Sequence, residues 1–226
     1  MFFFILEIVE NSKNNKSEIK EFRFECTRCG KCCTDKTTLV NVTYHDILRI
    51  KENLNLTLDE LLEVIGFYIF EEQLSEEDRK KMVTSPISTE HGPAFVGLLK
   101  NAEGSCYFYD KEKKRCKIYK LRPMFCRTFP FSFRLILNQE DKTKAKIKMR
   151  YTEKGKKYCP GITKDAPLVD LSEWIKVGKQ TLEELNDNYV LMEKWNEAVE
   201  KKAIEPNAKN FLRTVLNLSK KETKKK

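Results

Sequence analysis

Residues 24–33 read Phe24-Glu25-Cys26-Thr27-Arg28-Cys29-Gly30-Lys31-Cys32-Cys33, and this stretch decides how the rest of the chain is read. Four thiols fall within eight residues, in overlapping Cys-x-x-Cys spacings. A loop with that spacing can wrap a metal, because the intervening backbone N–H groups turn toward the sulfurs and offset thiolate charge. Gly30 permits the tight turn at low steric cost. Cys26, Cys29 and Cys32 match the first three ligands of the bacterial ferredoxin run C-x2-C-x2-C, whose remaining ligand is a cysteine followed by proline. Cys159-Pro160 offers that pair, although far along the chain.

Outward from this loop, the other four cysteines are Cys106, Cys116, Cys126 and Cys159. Cys106–Tyr109 and Cys116–Tyr119 read as the arms of a hairpin around the charged turn Asp110–Lys114. Strand alternation sets Cys106 with Phe108, and Cys116 with Ile118, on apolar faces, so both thiols are expected to point inward. Cys126 follows Arg122-Pro123, and proline suits the first position of a helix. A cysteine in a first helical turn meets unbonded backbone N–H groups that favour its thiolate. Arg127 is placed to give a charge-assisted hydrogen bond to a sulfur.

Eight thiolates complete two four-coordinate sites; one cluster with additional structural thiols is equally compatible. Adjacent Cys32 and Cys33 are not expected to point the same way, which assigns them to different sites in the first arrangement. The candidate metal ligands are therefore Cys26, Cys29, Cys32, Cys33, Cys106, Cys116, Cys126 and Cys159. An iron–sulfur cluster is favoured over Zn2+. Structural zinc sites often use two separated Cys-x-x-Cys knuckles, and only one such region exists here. His45 and His91 are not needed as ligands when so many thiolates are at hand.

The bulk properties agree with a thiol chemistry. A chain of 226 residues buries roughly 70–75% of its unfolded surface and needs no disulfides or metals merely to offset a small core. Eight cysteines in that length fall short of the roughly 8–10% of disulfide scaffolds. Met1–Val9, MFFFILEIV, has neither a preceding basic region nor a following small-residue cleavage site. It falls short of the about 20 apolar residues of a membrane span and reads as a buried strand. A reducing, cytoplasmic setting is expected, with thiols in place of disulfides. The net charge is +9, of which the stretch Lys220–Lys226 holds five Lys and one Glu. That stretch reads as a solvated, disordered basic tail, and no clear nucleic-acid signal arises elsewhere.

The elements define an α+β fold: small antiparallel hairpins and helices around the cysteine cluster, with a helical C-terminal part. Thr43 with Asp46, and Thr57 with Glu60, have capping-box spacing and predict helices over 44–53 and 58–69. Strand signals cover Ala94–Leu99, and a second hairpin joins 132–138 to 145–151 across the polar turn 139–144. Leu171, Trp174, Ile175, Leu182, Leu185, Tyr189, Met192 and Val199 lie on one helical stripe. Asn186-Asp187-Asn188 is a candidate interruption, Pro206 a stop, and a last helix covers about 208–218. The expected organisation is a cysteine-cluster metal-binding domain over 1–165, a helical part over 166–219 and the tail over 220–226.

FECTRCGKCC, then Cys106, then Arg115–Phe131 (RCKIYKLRPMFCRTFPF) and Tyr158–Ile162 (YCPGI) resemble the YkgJ-like cysteine-cluster family across roughly residues 22–162. That family is described as a zinc- or iron-chelating domain. The same pattern resembles the cysteine part of flagellin lysine N-methylases. The resemblance implies that the eight cysteines are binding residues. It alone introduces an S-adenosylmethionine-dependent protein-lysine methyltransferase as a further reading. The residues supply no cofactor motif for that: the spacing C-x3-C-x2-C, C-x-x-C-H, G-x-G-x-x-G and a P-loop are all absent. The functional classes left open are an iron–sulfur protein in electron transfer or a modification reaction, with a protein or redox partner, and a zinc-stabilised interaction module.

Overall fold

The computed structural model describes residues 21–69, 83–137 and 145–223. The expectations for Met1–Val9, for the turn 139–144 and for the end of the basic tail lie outside them. The fold is α+β, with three small antiparallel sheets and a helical C-terminal region. The chain forms two compact units: Met1–Cys32 with Thr128–Asn186, and Cys33–Arg127 with Asp187–Lys226.

In the second unit, Thr43 and Asp46 form a full capping box at the start of helix α2 (Tyr44–Leu54), after the single turn α1 (Lys31–Thr34). Asn55 closes α2 in the left-handed conformation at φ 50°, a region that asparagine tolerates better than most residues. A second capping box, Thr57 with Glu60, starts α3 (Leu58–Leu62). The helix expected over 58–69 stops there. Ile65–Ile69 (IGFYI) is instead strand β1. Its aromatic and β-branched residues fit a pleated surface, and Gly66 weakens a helix at that point. Strand β1 pairs with β3 (Gly92–Leu98), and β3 with β2 (Ile87–Thr89), all antiparallel. The core gathers Ile47 and Ile50 of α2, Leu61, Ile65, Val96 and Leu98 around Trp195, Phe211, Leu212 and Val215. Each side chain of this size, fully buried, stabilises by about 1.5–3 kcal/mol.

The hairpin between Cys106 and Tyr119 is shorter than alternation predicts. Only β4 (Tyr109–Asp110) and β5 (Arg115–Cys116) pair. Lys114, at φ 47°, turns the chain between them. A turn bond from the Tyr109 N–H to the Cys106 carbonyl ends one arm, and the 3-10 turn Tyr119–Leu121 ends the other. Helix α4 (Met124–Thr128) follows.

In the first unit, β6 (Phe131–Leu137) and β7 (Ala145–Tyr151) pair in the register Phe131 with Tyr151 and Phe133 with Met149. Phe22, Phe131, Phe133 and Met149 make a small aromatic core, flanked by Phe24 and Trp174. Helix α5 (Glu153–Tyr158) is capped by the Thr152 side chain.

Helix α6 (Leu171–Glu200) runs without a break through Asn186-Asp187-Asn188. Asp187 and Asn188 make tertiary bonds instead. The Asn188 side-chain carbonyl accepts the Tyr44 N–H at 2.9 Å, and Asp187 pairs with His45 at 3.1 Å. The helix ends six residues before Pro206, where Lys202 is left-handed at φ 55°. Helix α7 (Ala208–Thr223) completes the second unit. Among the described residues, no helix is long and apolar enough to cross a membrane.

Candidate metal centre

Cys26 and Cys29, on a loop, and Cys32, in the turn α1, are exposed, whereas Cys33, Cys106, Cys116, Cys126 and Cys159 are half-buried. None of the eight forms a disulfide. Arg28 at φ 55° and Gly30 at φ 75° are both left-handed. Both residues turn the chain between Cys26 and Cys32. For Gly30 the conformation is natural, but for Arg28 it costs on the order of 1–2 kcal/mol. Strain of this kind concentrates at ligand-holding loops.

Cys159 caps the C-terminal end of α5. Residues 22–25 run along residues 161–169. The Val169 N–H donates to the Phe22 carbonyl at 2.9 Å, the Phe24 N–H to Pro167 at 3.1 Å, and the Glu25 N–H to Gly161 at 3.1 Å. Gly161 is what permits this. A Cβ there would overlap the carbonyl oxygen of Glu25, the residue before Cys26.

Burial pushes the Cys159 thiol above its ordinary pKa, the Gly161 N–H opposes this, and the thiols of Cys29, Cys26 and Cys32 raise it further. Four sulfurs of one unit thus share an electrostatic neighbourhood. Among the described residues, however, no three Cys, His, Asp or Glu side chains converge closely enough to hold an ion. The two findings are compatible, since charge acts over several ångströms while a zinc–sulfur bond spans about 2.3 Å. The donor set suits a soft metal: thiolates that repel one another are relieved by a cation between them.

The second unit carries Cys33, Cys106, Cys116 and Cys126. The Cys106 N–H donates to the Cys33 carbonyl at 2.8 Å, and Cys106 also bridges Lys100. Its own carbonyl accepts the Tyr109 N–H at 2.9 Å, and Tyr109 pairs with Cys116. Cys106 and Cys116, both half-buried, pack against the main core, whose buried members include Phe108 and Ile118.

Cys126 sits on α4. The first N–H of that helix, at Met124, donates to Asp46 at 2.9 Å. Asp46 is fully buried and also binds Arg49 at 2.6 Å and the Thr43 N–H at 3.1 Å. One carboxylate therefore caps α2 and fixes the start of the Cys126 helix. Its capping role was visible as a Thr-x-x-Asp spacing, but its bond to Met124, 78 positions on, had no local signal.

His45 stacks on Tyr44 and pairs with Asp187, and His91 is exposed beside Glu90 at 3.7 Å. A shallow surface concavity lined by Val199, Ala203, Ile204 and Pro206 holds no cysteine.

Residues 25–160 match the family model CxxCxxCC, described as "Putative zinc- or iron-chelating domain". The chain is also 29% identical over 140 residues to an uncharacterized protein of Methanocaldococcus jannaschii. That alignment covers 62% of this chain and 58% of the relative's length. No solved structure matches.

Proposed function

The chain belongs to the CxxCxxCC family of zinc- or iron-chelating domains, and from that premise we propose that it holds iron–sulfur centres through cysteine thiolates. The observation that carries this reading is the backbone tie between the two cysteine segments: the Glu25 N–H, one residue before Cys26, donates to the carbonyl of Gly161, two residues after Cys159, at 3.1 Å. It pairs a C-x2-C-x2-C loop with a remote Cys-Pro, the ligand types of the bacterial ferredoxin cluster. When bound, such a cluster supplies one-electron transfer. The residues of this chain bind and shield it. The left-handed Arg28 and Gly30 turn the loop, the Gly161 N–H offsets charge on Cys159, and Asp46 steadies the helix that carries Cys126. The role that follows is electron transfer, or electron supply to a modification reaction, with a redox or protein partner in a reducing compartment.

The test is anaerobic purification with analysis of iron and acid-labile sulfide. The proposal expects brown protein with iron and sulfide in similar amounts, and an electron paramagnetic resonance signal on reduction. Colourless protein with stoichiometric zinc and no sulfide contradicts it.

A further inference from the structure

We propose that the eight cysteines make two separate four-thiolate centres, divided at the Cys32–Cys33 peptide bond. Cys26, Cys29, Cys32 and Cys159 form one; Cys33, Cys106, Cys116 and Cys126 form the other. This rests on the thiolate-metal reading above and assigns its ligands.

Three observations carry the division. Cys32 and Cys33 are consecutive in the helical turn α1, where successive side chains diverge by about 100°. The boundary between the two compact units falls on that same peptide bond, which leaves four cysteines in each unit. The backbone then links each set internally. Gly161, seated against Glu25 with the Glu25 N–H donating to its carbonyl at 3.1 Å, brings Cys159 to the Cys26 loop. Cys33, Cys106 and Cys116 follow one another through two backbone bonds and a strand pair. Cys126, the remaining cysteine of that unit, lies ten residues beyond Cys116 on a helix anchored by Asp46. Four thiolates are the complement of one tetrahedral zinc or of one four-iron cluster, so neither set needs a ligand from the other.

The experiment maps thiol protection in anaerobically purified full-length chain holding its own metal. Each protein is alkylated briefly and the modified cysteines are located by mass spectrometry, alongside metal analysis. Wild-type protein should protect all eight thiols. Cys159→Ser should halve the metal content and expose Cys26, Cys29 and Cys32 while Cys33, Cys106, Cys116 and Cys126 stay protected. Cys116→Ser should give the reverse pattern. Cys26→Ser, on the exposed loop, repeats the first arm where Cys159→Ser fails to fold. Release of Cys33 together with Cys159's set, or exposure of all remaining thiols by Cys26→Ser, overturns the division. Wild-type protein that holds no metal and protects no thiol overturns the reading of function and the division with it.

Discussion

The two units carry the same number of thiols on unlike scaffolds. In the second unit, Cys106 and Cys116 lean on a core that includes Ile47, Leu61, Val96, Trp195 and Phe211. Their positions follow from packing against that core. In the first unit, three of four cysteines are exposed, on and just after a loop with a strained Arg28, near a small cluster around Phe131 and Phe133. There the apolar core is thin, and a metal would contribute a larger share of local order. The difference teaches that cysteine positions are set by packing on a core in one unit and by backbone turns in the other.

The largest effect expected from this contrast is that of metal removal. Apparent zinc-binding energies of about 10–16 kcal/mol are comparable with the stability of a whole domain, about 5–15 kcal/mol. Chelation should therefore raise hydrogen exchange at residues 26–32 by about 100-fold or more, and in α2 and β3 by less than about tenfold. Equal loosening in both units would erase the contrast.

Asp46→Ala comes next. It leaves Arg49 and the Met124 N–H without their buried partner, a loss of about 3–5 kcal/mol by the measure of broken buried pairs. Urea unfolding should show it, and Cys126 should lose protection from alkylation before Cys106 does. Gly161→Ala should cost about 1–3 kcal/mol through overlap with the Glu25 carbonyl. Metal competition should show weaker binding at the first unit only. The smallest effect runs the other way. Arg28→Gly should stabilise by about 1 kcal/mol, because glycine adopts the left-handed conformation without strain. No change there would mean that the loop is not strained in solution.

Much of this was legible in the sequence, because it rests on local rules. Thr43 and Thr57 announced their helices, the hairpin expected over 132–138 and 145–151 formed over Phe131–Leu137 and Ala145–Tyr151, and the cysteine pattern carried the family. What failed was decided by distant contacts. Ile65–Ile69 became a strand because β3 pairs with it. Asn188 sits inside α6 because its amide meets the N-terminus of α2, 144 residues away in sequence. The bond from Met124 to Asp46 and the seating of Gly161 on Glu25 join segments that no window of sequence brings together. The division of eight thiols between two units depends on such contacts as well.

The central claim, that these eight cysteines hold metal in two groups, is tested most directly by native mass spectrometry of the anaerobic chain. The account predicts an intact mass exceeding that of the polypeptide by the metal and sulfide of two centres. A mass equal to the bare chain, or to the chain with one centre only, would contradict it.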